Sequence, residues 1–515
     1  MSGSLRQRKR WSGVRVANTA HARRRSCRSA AARTLRLMLP VRSDIREVWT
    51  QAWPTVLAMV SYTFMQFVDS LMVSVVGPTE VAAQGNAGIW TWVLISFAFG
   101  VTTLVNTLVA QCVGAKQFSR IAAYAWAGLW ISLAYWALVL LPSAYVAGSL
   151  FEVMGHDAPF IAMERSYAQI LLVGGIFVVA GKALSNVFFG LQRPKVITLA
   201  AIAGNVVNIV AAFIFIFGEA GMPTLGLPGI PGTPAYGLVG AAIATVLGTA
   251  VECIIPFAVL FSARMNRELQ IWRAWRPDAA AIREVFSLGW PAGLQFSNEI
   301  ICWAIFMTVL AGGFGADHMA AGWIAQRFVH MSFMPAVGLS IAATSLVGKH
   351  IGERNLPHAV RSAHAALAIA LAWMGICGAV FVLFRNELPL AFLASDLPLE
   401  QRVHITEIAS KILLCAAAFQ LLDAVGITYS GALRGAGDTL VPGLVTIVLS
   451  WGIIVGGGVL IVRFAPQLES IGPWFAATAY LVVFGVVLGI RFERGGWKRL
   501  HLLDAHSSKD ASSAP

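Results

Sequence analysis

The chain has 515 residues, 57% of them apolar and only 12% charged, with a mean hydropathy of +0.71. Soluble globular chains carry roughly a quarter charged residues, and here the apolar residues come in long unbroken blocks, which excludes a soluble multidomain protein and indicates a polytopic membrane protein. The net charge of +13 belongs to one end: residues 1–46 hold thirteen of the 38 Lys and Arg against a single acid, Asp44, and the remainder is close to neutral.

That basic segment, 1–46, is expected to be a disordered cytoplasmic tail lying on anionic lipid, or in part an over-extended start with Met38 as initiator. It is Arg-rich and acid-poor but has no apolar core of a secretory signal, and a nucleic-acid role is not expected. Twelve apolar blocks then follow, each long enough to cross a bilayer: roughly 50–74, 86–112, 122–148, 166–190, 196–217, 237–261, 285–311, 320–348, 361–384, 407–432, 441–462 and 471–490. With the first tail inside, the inner connections hold thirteen Lys and Arg, among them Lys116, Arg193, Arg264, Lys349 and Arg434, and the outer ones only Arg165, Arg385, Arg402 and Arg463. That asymmetry puts both termini in the cytoplasm. The Pro/Gly-rich stretch 218–236 is an outer loop.

An internal repeat divides the chain. EVWTQAWP at 47–54 matches EVFSLGWP at 284–291, and Gly100 and Gly114 recur as Gly338 and Gly352, all at an offset of 237–238. QILLVGG at 169–175 matches KILLCAA at 411–417. The expected architecture is therefore all-α, with twelve transmembrane helices in two six-helix lobes related by a pseudo-two-fold axis along the membrane normal. An N-lobe over 47–261 is followed by a cytoplasmic linker over 262–284, a C-lobe over 285–490 and a cytoplasmic C-terminal tail over 491–515.

Carboxylates in the bilayer core cost at least about 2.5–3.5 kcal/mol each on insertion scales. Asp69 in span 1, Glu299 in span 7 and Asp423 in span 10 are such groups, and a desolvated carboxylate can switch its proton occupancy near neutrality or bind a cation. Asn205 and Asn208 lie mid-span 5, and Asn205 is expected to be polar glue between helices. Lys182 and Arg327 could pair with a carboxylate across a cavity, whereas Glu252 has no evident partner. Pro54 in span 1, like Pro291 in span 7, removes a backbone hydrogen bond and lets its helix kink. The six cysteines lack metal-ligand spacing, and no cofactor, disulfide or metal site is expected.

These residues resemble the MATE (multidrug and toxic compound extrusion) transporters over about residues 45–490. The resemblance is carried by WP with Asp69 fifteen residues after Pro54, GAAIAT at 240–245, GWPAGLQFSNE at 289–299 and QLLDAVGITYSGALRGAGDT at 420–439. It implies a secondary antiporter that exports organic, mostly cationic, compounds in exchange for H⁺ or Na⁺ by alternating access, and an inner-membrane location. It assigns coupling roles to Asp69, Asn208, Thr245, Glu299 and Asp423, and kinks to Pro54 and Pro291.

Two departures matter. Ala212 stands where many relatives carry a second Asp or Asn, and Gly322-Trp323 replaces a His-Gln pair. Sodium needs several oxygen ligands whereas a proton needs one carboxylate, so Ala212 tilts coupling toward H⁺. Trp323, with Lys182 and Arg327, is a candidate for the substrate cavity, while most other tryptophans are expected at lipid or interfacial positions. The expected partners are small organic substrates and membrane lipid, with the protein a monomer.

The rival is a flippase for a lipid-linked oligosaccharide or lipid II. It would need several cationic side chains around a pyrophosphate, and only Lys182 and Arg327 are available. Protease-type intramembrane motifs are absent, so an enzyme is not expected.

Overall fold

The computed structural model describes residues 40–154, 156–222, 228–393 and 397–500. Met38, Cys27 and the rest of the basic segment before residue 40 lie outside the described residues, as does the chain after residue 500. The helices are α1 (Arg42–Val76), α2 (Pro78–Gly114), α3 (Phe118–Val153), α4 (Ala158–Val173 and Gly175–Gly190), α5 (Lys195–Phe217) and α6 (Leu238–Leu260). They are followed by α7 (Ala279–Ile305), α8 (Ala316–Gly352), α9 (Leu356–Leu383), α10 (Leu399–Gly435), α11 (Leu440–Phe464) and α12 (Ile471–Glu493). Eleven are long and apolar enough to cross a membrane, and the two segments of α4, bent by 41°, complete twelve.

Several boundaries differ from expectation for local reasons. The apolar blocks mark only the lipid-depth part of helices that run further. α1, α2, α8 and α10 have 35, 37, 37 and 37 residues, about 50 Å or more at 1.5 Å per residue. α1 therefore begins at Arg42, inside the segment expected to be disordered, and Asp44 caps it by accepting the Val41 amide at 3.0 Å. α4 is broken at Gly174-Gly175, where a Cβ on Gly174 would run into Val246 of α6. Short π-helical segments interrupt α3 (Trp136–Leu140) and α11 (Ser450–Gly457), and another extends α7 (Phe306–Ala311).

The linker expected over 262–284 is folded rather than loose. It contains a short helix, Ala263–Leu269, and a 3-10 turn, Ile271–Ala274, before Asp278 caps α7. Trp126 and Trp130 of α3 donate their indole N–H groups to the Ile271 and Trp275 carbonyls at 2.9 and 3.1 Å. The C-terminal boundary also shifts. α12 reaches Glu493, Arg491 pairs with Asp438 at 2.8 Å, and Trp497 is fully buried.

The packing repeats between halves. α2 lies on α3 and α4 as α8 lies on α9 and α10, α4 meets α6 as α10 meets α12, and across the halves α1 packs on α8 as α7 packs on α2. At the centre α2 and α8 cross backbone to backbone. A Cβ on Gly114 would strike the Lys349 carbonyl oxygen, and one on Gly352 would strike that of Gln111. The two repeat prolines sit at equivalent crossings, Gly338 facing Val56 beside Pro54 and Gly100 facing Ala292 beside Pro291.

All these crossings fall between mid-helix and the face holding the start of α1 and the end of α12, the terminal face. Apolar clusters there join the halves, as in Ala52 with Ala336 and Leu339, and Val48 with Ala343 and Leu346. Toward the opposite face each cluster is built from one half, Val73, Ala83 and Phe217 in the first and Phe306, Leu310 and Trp474 in the second. The structure is thus a V closed at the terminal face.

Because the obstacle at Gly114 and Gly352 is backbone, overpacking should cost about 1–3 kcal/mol at each. Gly114→Ala and Gly352→Ala are expected to lower the melting temperature of the purified protein. Gly85→Ala, whose Cβ would meet nothing within 4 Å, should leave it unchanged.

Candidate functional site

In the first half, α1 and α5 bring two of the predicted residues together. Asp69 is buried, and its Oδ2 accepts a hydrogen bond from Asn208 Nδ2 at 3.3 Å. Gly248 of α6 lets Asn208 sit there, since a Cβ at that position would come within 2.7 Å of the Asn208 Cβ. The other Asp69 oxygen and the Asn208 Oδ1 have no hydrogen-bond partner among the described residues. Two unpartnered oxygens at one buried locus can take a proton or a cation. One turn earlier, Asn205 donates to Ser61 at 2.5 Å and so ties α5 to α1.

Thr245 is not joined to this pair. Its hydroxyl donates to the Ala241 carbonyl of its own helix at 3.0 Å. Lys182 stands over the Phe99 ring, 4.5 Å from its centroid, and within electrostatic reach of Glu252 on α6. The acid within its reach thus belongs to its own half, although the two do not form an ion pair. Arg327 lies over Phe392 at 5.4 Å, and Trp323 one turn before it is 40% exposed. Both stand on an exposed face of α8.

In the second half, Glu299 of α7 and Asp423 of α10 lie within electrostatic reach of each other, with Tyr480 of α12 near both. Arg434, assigned from sequence to an inner loop, is in the last turn of α10. Its guanidinium lies over Phe296 at 5.4 Å and within electrostatic reach of Glu299. This acid pair therefore has a nearby cation, which the Asp69–Asn208 pair lacks among the described residues. Next to Glu299, Asn298 donates to Ser450 at 2.8 Å and accepts from the Trp451 indole at 2.7 Å. It so anchors the carboxylate's helix to the π segment of α11.

Both kink prolines are buried in the middle of continuous helices. Thr198 of α5 donates to the Pro54 carbonyl at 2.7 Å, which fastens α1 at its proline to the helix that carries Asn208.

The MatE family model matches residues 54–214 and 291–457, well over half of the chain. This chain belongs to the MATE family. Among similar proteins, the one named "Probable multidrug resistance protein NorM" of Agrobacterium fabrum is 27% identical over 444 residues, 85% of this chain and 91% of that protein. "Multidrug resistance protein MdtK" of Proteus mirabilis is 27% identical over 454 residues, 87% and 95% of the two chains. A crystal structure of a MATE protein in complex with MaL6 superposes with a TM-score of 0.79 at 24% identity, covering 88% of this chain and 97% of that one.

In this MATE protein several further buried polar atoms escaped sequence reasoning. Gln420 Nε2 donates to Ser332 at 2.9 Å, while Gln420 Oε1, Gln326 Oε1 and His330 Nε2 are buried without hydrogen-bond partners among the described residues. The spacing of Gly322, Gln326 and His330, four residues apart on one face of α8, was the available signal.

Asn298 makes two helix-bridging bonds, each worth about 0.6–1.7 kcal/mol within a membrane bundle. Asn298→Ala is expected to lower the melting temperature measurably. Thr245→Val, losing only a bond within one helix, should stay within about 0.5 kcal/mol of wild type.

Proposed function

We propose that the chain is a secondary antiporter that exports organic, mostly cationic, drugs or toxic metabolites in exchange for protons. The family and the multidrug-resistance names of its relatives support the substrate class. The observation that carries proton coupling is the Asp69–Asn208 pair: one buried carboxylate, one amide donor and Ala212 a turn beyond, too few oxygens for a sodium cage but enough for a carboxyl that gains and loses a proton. Glu299 and Asp423, compensated by Arg434, form the second titratable group.

On this reading the two halves, 47–261 and 285–490, are lobes that open alternately. The terminal face is cytoplasmic, as the distribution of Lys and Arg supports, and the V opens outward. The protein resides in the inner membrane with both termini inside and works as a monomer among lipid. Pro54 and Pro291, each at a glycine crossing with the other half, are the bends about which the lobes rearrange. A flippase for pyrophosphate-linked lipids is disfavoured because Lys182 and Arg434 each have an acid within reach and Arg327 stands on an exposed face of α8.

The test is efflux of a fluorescent organic cation from proteoliposomes carrying either a pH or a Na⁺ gradient. The pH gradient is expected to drive wild-type transport and Asp69→Asn to stop it. Transport driven only by Na⁺ and tolerant of Asp69→Asn would move coupling to Glu299 and Asp423. No cation transport under either gradient would overturn the antiporter reading in favour of the flippase.

Pro54→Ala restores a backbone bond to the Thr50 carbonyl worth about 0.5–1.5 kcal/mol. If the bend is used in transport, the exchange rate should fall roughly two- to tenfold, with the folded yield unchanged. Unaltered rates would remove Pro54 from the mechanism.

A further inference from the structure

At the terminal face α1 meets α8 and α9 through ionisable side chains. Glu47 comes from the first half, and His350 and His358 from the second. His358 Nε2 lies 3.3 Å from Glu47 Oε2, and His350 Nε2 lies 3.6 Å from Glu47 Oε1. One ligand atom from each of the three side chains falls within 4.8 Å of the others. Zinc bonds of about 2.0–2.1 Å to nitrogen and oxygen set tetrahedral ligands about 3.3–3.4 Å apart. The two contacts, each on its own Glu47 oxygen, are of that order. Because the His350 and His358 rings stack with centroids 3.9 Å apart and planes 18° apart, one imidazole must turn to bring both Nε2 lone pairs onto a shared ion.

A second observation points the same way. The His350 side chain is only 2% exposed, and its Nε2 has no hydrogen-bond partner among the described residues although it is aimed at Glu47. Its Nδ1 is 2.8 Å from Glu353 Oε2. A carboxylate on Nδ1 holds the proton there and leaves the Nε2 lone pair free, which is how metal-ligating histidines are commonly oriented.

The neighbouring charges are Asp44, 3.4 Å from His358 Nε2, Arg361, 3.6 Å from Asp44, and Lys349, whose Nζ is 3.2 Å from Glu47 Oε1. Lys349 competes for Glu47. It is about a quarter exposed, and its flexible stem gives the ammonium a route to water.

We propose that Glu47, His350 and His358 form a divalent-metal site of the zinc type, with water as fourth ligand, that bridges the two halves of the chain. Spacing along the sequence does not reveal it, because the three residues come from three helices. The ligand set is complete only while α1 rests on α8 and α9, so bound metal stabilises the closed terminal face by linkage.

The test is titration of the purified full-length protein with Co²⁺, a spectroscopic probe for such sites. One Co²⁺ per chain is expected, with the intense visible absorption of four-coordination, displaced by Zn²⁺. His350→Asn and His358→Asn should each weaken binding at least about tenfold, and the melting temperature without metal checks that these variants fold. Lys349→Ala, which removes the competing ammonium without touching a ligand, should tighten it. A weak six-coordinate spectrum, no saturable binding, or equal affinity in the folded histidine variants would overturn the site. Unchanged affinity in Lys349→Ala would overturn the place of Glu47 in it.

Discussion

The contact on which the rest depends is the crossing of α2 and α8. Within a bilayer, helices gain little from hydrophobic burial against one another, so close backbone approach and interhelical hydrogen bonds must hold them. Gly114 against Lys349 and Gly352 against Gln111 supply the approach. Beside it, Thr107 and Gln111 donate to the Arg434 and Gly435 carbonyls at 2.9 and 3.1 Å and so tie the same stretch of α2 to the end of α10. Each half thereby pins the end of the other, and the helices that carry acids, α1, α7 and α10, are arranged around that fixed point.

The two halves repeat in path but not in polar content. Asp69 faces an amide and leaves oxygens unpartnered, whereas Glu299 shares its surroundings with Asp423 and a guanidinium. Duplicated backbones thus present one lightly compensated acid and one acid pair with a cation beside it. In the antiporter proposed above, that difference lets the halves respond unequally to the same change in proton supply.

Much of the architecture was legible because membrane helices announce themselves by unbroken apolar length, and the Trp-Pro and glycine repeats survive at a fixed offset. The glycines proved to be the crossing points themselves. What stayed hidden depends on contacts between distant segments. Lys182 reaching Glu252, Arg434 extending alongside α7, and the indoles of Trp126 and Trp130 bound to the linker are facts of packing that no local spacing encodes. Thr245 illustrates the converse: its position fits a site residue, yet its hydroxyl bonds within its own helix. Helix ends were also misplaced, since apolar length measures the lipid and not the helix.

The indole clamp on the linker has a mechanical consequence. With the Ile271 and Trp275 carbonyls held by α3 and Asp278 fixed as the cap of α7, the covalent tether between the halves has slack only over residues 276 and 277. At about 3.3–3.6 Å per extended residue, that permits a travel of roughly 7 Å at the point of attachment. The halves can tilt about this short leash but cannot slide far past one another, so the linker acts as a pivot pin rather than a loose cord.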